Sequence, residues 1–544
     1  MIKGYTEKST GNPLADAYFR GESRVQELYH YKAGDTNDLL TRVKDVDTCY
    51  PSEQREALAK ALRSYAERVT GITSGIASLL DKLENHQALA VVTGQQAGIF
   101  TGPLYTMYKA VTTVAYAAYY EKLLNRPVVP VFWVAAEDHD FQEVAEAWFI
   151  KENGELFRSH LREQPFKRTP IGYHKITDEE IKRILNELSV HLPAGMYRDQ
   201  LMEEIASAYQ KTDNMVDGFI SLLASWLKDY PILFVNPLDR ELRQLMSDAF
   251  RLVIERPEEY QKAAARGDQA VRDMGYVPQV EITSTHTLIY MIDHGKRSAI
   301  DYDRELGIYS LRDSKRKISQ QELLDRLEAH PEDFSAGVLY RPVTQDFLLP
   351  VLSYVGGAAE VAYHGMMKGI FAASGRKIPP LQLRQRAFLL TGQVNRALER
   401  FDIMADDVLD GNFVFDRLLE EETKDIDQWM DALKASMLAE LTKFEESFLE
   451  LDPQLRRALS KTEFTVSKSI ERLSSRTRKS LLRKNHEIAI SAQVLESWIH
   501  PKGKEQERML SPLSPIAKYG TMWLKDLWFD TPTNWNQVKC ITLE

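Results

Sequence analysis

The chain has 544 residues, 44% of them hydrophobic and 27% charged, with a formal net charge of −10. Usage this ordinary excludes a largely disordered chain, and the acidic balance argues against nucleic acid as the main partner, because phosphate binding needs a basic face. No apolar run approaches the ~20 residues of a membrane-spanning helix, so no membrane role is expected.

A prior of ~150 residues per domain suggests about three or four units. Residues 53–86 read as one helix, with Ala57, Leu58, Leu62, Tyr65, Ala66 and Val69 at three- and four-residue spacing. The continuous apolar run Ala88–Val92 reads as a buried parallel strand, and Leu104–Leu124 as a long apolar helix. Val128–Val134 is a second buried strand, which completes a βαβ unit, and Ile232–Val235 is a third, followed by a helix from about Leu238. Segments at about 145–230 and 286–335 read as subdomains inserted into this α/β core, and residues 345–372 return to it. From Ile426 the apolar residues Trp429, Leu433, Met437, Leu441, Phe444, Phe448, Leu451 and Leu455 step by threes and fours as a coiled-coil seam. Asp452-Pro453 marks a turn, and a second helix runs from about Thr462 to Trp498, with Ile470, Leu473, Leu481, Ile488 and Leu495 as its seam. The division expected is a core over 1–390, an antiparallel helical arm over 391–510, and an aromatic-rich segment over 511–544 that packs back onto the core.

The opening stretch Met1–Pro13 lacks the apolar core of a signal peptide. With only Cys49 and Cys540, neither a disulfide framework nor a cysteine zinc site is expected, and a reducing cytoplasm is the expected compartment.

Three clusters could carry chemistry. Thr93 to Tyr105 is a Gly-rich loop between the first strand and its helix, at the strand's carboxyl end, where open α/β sheets bind ligands. It matches neither the dinucleotide fingerprint nor the phosphate-binding P-loop. Glu137-Asp138-His139-Asp140 follows the second strand directly, and four ionisable groups beside a buried strand are costly without a task. His139 could act as a base, and the acids could hold an ammonium group or a metal ion; acids capping a helix N-terminus are the bland alternative. The third cluster is Arg341-Pro342, Gln345 and Tyr354 to His364, in which Glu360 follows a Gly-Gly pair. A Gly-rich turn with a satisfied buried Glu would look the same. His286, His294 and His364 are scattered, and Lys315-Arg316-Lys317 reads as a solvated face.

Together these stretches resemble the bacillithiol biosynthesis cysteine-adding enzyme family. The resemblance rests on Gly94 to Gly98 with Thr101 to Tyr105, on Pro130 to Trp133, and on Glu137 to Asp140. Further along it rests on Gly275-Tyr276, Arg341-Pro342, Gln345, Pro350, Glu360 to Tyr363 and Pro379-Pro380. It implies a Rossmann-type parallel-sheet core with two inserted connecting subdomains, and a coiled-coil arm that makes a homodimer. The implied reaction is addition of cysteine to glucosaminyl malate. Two departures stand out. Ala358 occupies a position where Pro is expected, so that loop could take another shape, and the paired-His and Lys-Ser motifs by which class I synthetases hold ATP are missing. ATP or another nucleotide is still expected, because amide formation from a free carboxyl is uphill in water.

Glu137, Asp138, His139 and Asp140 are the candidate catalytic residues, His139 or a neighbouring carboxylate taking the amine's proton. Arg341, Arg384 and Lys109 are candidate partners for the malate carboxylates, and Gln95 and Gln96 for sugar hydroxyls or a carboxylate. Gly94, Thr101, Gly102, Tyr105, Trp133, Asn236, Gln345, Gly357, Glu360 and Tyr363 complete the candidate substrate site. No metal ligand is assigned, and the metal requirement is left open. Two other classes compete: a metal-dependent hydrolase built on Glu137 to Asp140, and a scaffold whose business end is the arm.

Overall fold

The structure is a computed structural model that describes residues 4–85, 87–162, 168–212, 214–400, 413–452, 455–484, 486–532 and 534–544. Its central sheet has five parallel strands: β1 (Leu89–Gln95), β2 (Val128–Val134), β3 (Leu233–Val235), β4 (Val351–Gly356) and β5 (Leu381–Leu383). Every residue of β2 is buried, as expected for a strand covered on both faces. The helix α1 (Tyr105–Leu124) crosses from β1 to β2 and is buried along most of its length, which explains its all-round apolar character.

The strands lie in the order β5-β4-β1-β2-β3. The chain therefore builds outward from β1 through β2 to β3, then returns to the other side of β1 for β4 and β5. The order reverses between β1 and β4, and loops leaving their carboxyl ends diverge there to open a crevice.

Among the described residues the segment between β2 and β3 holds an antiparallel hairpin (Glu146–Ile150 with Leu156–His160) and four α-helices. The stretch before β4 forms a five-stranded sheet with His286–Asp293, Lys296–Asp303 and Phe334–Ala336 among its strands. A third sheet joins Gly4–Glu7, Gln537–Leu543 and Arg386–Thr391, so the two ends of the chain meet. In the last segment Trp523 and Phe529 are buried and Trp535 stacks on Phe19.

Two expectations are corrected. The single helix over 53–86 is two helices, Ser52–Val69 and Ser74–Asn85, separated at Gly71, whose φ of +74° ends the first. In the arm, α2 (Phe413–Leu451) and α3 (Leu455–Lys484) do run antiparallel, tied by Arg478 to Asp427 and by Lys434 to Glu471. The seam keeps Leu441 of the expected row but otherwise follows another. Trp429 is 66% exposed, Met437 43%, Phe444 55% and Leu451 79%, whereas Ile426, Met430, Leu438, Leu441 and Leu449 form the more covered face. The helix carries two apolar rows side by side, and periodicity cannot say which one meets the returning helix. On the second helix Ile470 is buried but Leu473 is 46% exposed; Leu495 is buried in the helix after it. Pro453 and the side chains of Leu481 and Ile488 lie outside the described residues.

Candidate active site

A cleft of about 570 Å³ opens at the reversal of strand order, within the range of small-molecule sites. Its floor is the ends of β1 and β2: Gly94, Gln95, Gln96 and Trp133. A Cβ at position 94 would stand 3.1 Å from the Trp133 carbonyl oxygen and 3.6 Å from Arg341 Nη1, so glycine lets that guanidinium close on the strand end. Gly98 is required by a tight turn, since a Cβ there would meet the Gly102 Cα at 2.9 Å. Phe100 and Thr101 in that turn have φ of +54° and +69°, a left-handed geometry costly for non-glycine residues. The Phe100 N–H donates to Tyr209 Oη at 3.0 Å and helps hold the turn.

One wall is a buried polar network. The Lys109 ammonium donates to Gly94 O (2.7 Å) and Gln95 Oε1 (3.0 Å) and sits 2.5 Å from Glu360 Oε2. Glu360 also accepts from the Gly357 N–H (2.8 Å) and from Tyr354 Oη (2.6 Å). Burial alone would raise the Glu360 pKa, but Lys109 and these donors outweigh it and hold the carboxylate below its ordinary value. Arg341 Nη2 donates to Tyr363 Oη at 3.0 Å, while its Nη1 is buried with no hydrogen-bond partner. No carboxylate lies within 4 Å of this guanidinium among the described residues.

The opposite wall carries the acid-rich loop. Asp138 accepts from Gln96 Nε2 and from the His139 N–H, both at 2.7 Å, which ties the loops after β1 and β2 together. His139 is half-buried, and its Nδ1 is buried without a hydrogen-bond partner. Burial first, and the nearby Arg297 second, hold the imidazole pKa below its ordinary value, so the ring is neutral and basic near pH 7.

The site gathers most of the candidates and releases some. Lys109 spends all three ammonium donors inside the protein, and Arg384 forks onto buried Glu507 at 2.9 and 2.5 Å, so neither is free for a substrate carboxylate. Glu137 lines the cleft but is almost wholly buried and is paired with Arg243 at 2.5 Å. Asp140 is exposed and does not line the cleft. Thr101 and Gly102 shape the turn behind it. Asn236 is fixed by accepting the Leu238 N–H after β3, and Gln345 is buried away from the opening. Ala358 simply begins the helix α4 (Ala358–His364), a position that accepts Pro equally well. His286, His294 and His364 do not converge, and among the described residues no three His, Cys, Asp or Glu side chains are grouped to hold a metal ion. The metal-hydrolase alternative thereby loses its proposed centre.

Arg297, Tyr290, Glu143 and Arg508 line the cleft and were missed. Tyr290 and Arg297 arrive on the inserted sheet and Arg508 follows the arm, so no local motif announced them.

Residues 1–385 match the N-terminal Rossmann-like domain of the family described as Bacillithiol biosynthesis BshC, and residues 387–538 match its C-terminal coiled-coil domain. The chain belongs to the BshC family. A relative from Salinibacter ruber, named "Putative cysteine ligase BshC", is 32% identical over 477 residues, 87% of this chain and 86% of that one. One of the same name from Heliobacterium modesticaldum is 31% identical over 547 residues, 97% of each chain. The two matched BshC domains together span both the cleft and the arm. No helix among the described residues is long and apolar enough to cross a membrane.

Proposed function

We propose that this BshC-family chain joins the carboxyl of cysteine to the amine of glucosaminyl malate, forming an amide in bacillithiol synthesis. The observation that carries this reading is the polarity of the cleft. Arg341 offers a guanidinium with one unbonded Nη on one wall, and Asp138 and neutral His139 stand on the other. Such a cleft suits an anionic acceptor beside a zwitterionic amino acid. His139 takes the proton from the sugar amine as its nitrogen attacks the cysteine carbonyl carbon. The C–N bond forms as the bond from that carbon to its leaving oxygen breaks. The carboxyl must be activated beforehand, and a nucleotide is the proposed source. The reaction is proposed for the cytoplasm, where Cys49 and Cys540, neither in a disulfide, would stay reduced. In a strain deleted for the gene, glucosaminyl malate should accumulate and bacillithiol disappear; an unchanged thiol pool would refute the reading.

The arm is proposed to pair with that of a second copy. Trp429, Phe444 and Phe464, 66%, 55% and 65% exposed, form apolar surface that two helices alone leave uncovered.

A further inference from the structure

The inserted five-stranded sheet brings a second guanidinium to the cleft. Arg297 is the second residue of the strand Lys296–Asp303, after the turn at His294-Gly295, and is only 7% exposed. Its Nε donates to Ser335 Oγ at 3.0 Å, its Nη2 donates to Ala336 O at 2.7 Å, and its guanidinium carbon lies 3.9 Å from the Tyr290 ring centroid. Like Arg341, it has no carboxylate within 4 Å among the described residues. The two arginines share one anchor. Ala336 O holds the Arg297 side chain, and the next carbonyl, Gly337 O, accepts the Arg341 backbone N–H at 2.8 Å. A single turn of backbone thus braces the Arg297 side chain and the Arg341 backbone, and both residues line the cleft. Two desolvated guanidiniums with no carboxylate in direct contact, Arg341 sharing only the field of Glu360, cost stability, and an anionic ligand with two acceptor groups relieves that cost.

We infer that Arg297 and Arg341 form a dicarboxylate subsite, in which Arg297 selects the malate end of the acceptor. The inference rests on the ligase reading for the identity of the acceptor, but the subsite itself is testable without it. Bracing by Ser335, Ala336 and Tyr290 leaves the Nη1 edge of Arg297 for the ligand, a pre-organised fork rather than a flexible surface arginine. A purely structural arginine, tying two strands together, would make the same Ser335 and Ala336 contacts but would not discriminate between ligands.

The test measures binding of malate alone by calorimetry, and turnover with two acceptors, glucosaminyl malate and methyl glucosaminide. Arg297→Gln should weaken malate binding at least tenfold and raise the KM for glucosaminyl malate to match, with the KM values for cysteine and for methyl glucosaminide little changed, all read at a pH above the acid limb that His139 sets. Arg297→Lys should fall between, since it keeps the charge but not the fork. If Arg297→Gln fails to fold, Ser335→Ala tests the same point by loosening the brace; it should weaken malate binding several-fold. Unchanged malate binding in a folded variant, or equal loss on both acceptors, would overturn the subsite. Malate binding that depends on Arg297 in a protein that makes no amide would uphold the subsite and refute the ligase reading.

Discussion

Lys109, from the helix after β1, and Glu360, from the helix after β4, meet at 2.5 Å in one wall of the cleft and join the two helices. Lys109 is buried and Glu360 partly so, and Glu360 accepts two further hydrogen bonds there. Removing the lysine strands a carboxylate that burial disfavours. Lys109→Met should therefore cost about 3–5 kcal/mol, and Lys109→Met/Glu360→Gln should recover part of it. Denaturant unfolding of the three chains measures this, and additive losses would show that the two residues are not coupled.

His139 should set the acid limb of the pH profile. Burial lowers its pKa first; Arg297 and Arg168 push the same way, while Asp138 and Asp140 oppose them. A base with a lowered pKa stays deprotonated further into acid, so kcat/KM should begin to fall only below the ordinary histidine value of about 6.5. Arg297→Gln removes one lowering charge and should move that limb to higher pH. A limb unmoved by this substitution and by His139→Gln would assign the proton to another group.

Much of the core was legible because buried parallel strands are written as continuous apolar runs: Val128–Val134 is a strand over those same residues. The clusters at Gly94, Asp138 and Glu360 were legible because polar groups beside such runs stand out. What the sequence hid were the pairings. Arg384 and Lys109 look like substrate cations until Glu507 and Glu360 are seen to engage them, and Glu137 looks catalytic until Arg243 does. Each partner is remote in sequence, and no periodicity encodes it. The arm's seam was misread for a different reason: its exposed row holds the larger apolar residues, Trp429 and Phe444.

The exposed row on the arm should mediate dimerisation. Light scattering on the purified chain should give a dimer, and deletion of residues 415–505 or the double change Trp429→Glu/Phe444→Glu should give a monomer. A monomeric native chain would refute the second-copy assignment.

The protein's own thiols should be dispensable. Neither Cys49, in a separate cleft beside Arg42 and Arg376, nor Cys540, on the terminal strand, lines the active-site cleft. Cys49→Ser/Cys540→Ser should retain most of the activity, and complete loss in a folded double variant would point to an acyl-enzyme on a protein sulfur.

The central claim, that the cleft around Arg341 and His139 joins cysteine to the acceptor, is tested most directly by the thiol pool of a deletion strain that expresses variant chains. His139→Ala and Arg341→Gln, each shown to be folded and as abundant as the unaltered chain, should leave glucosaminyl malate accumulated and bacillithiol at least tenfold below the complemented level. Normal bacillithiol in a strain carrying either folded variant would contradict the account.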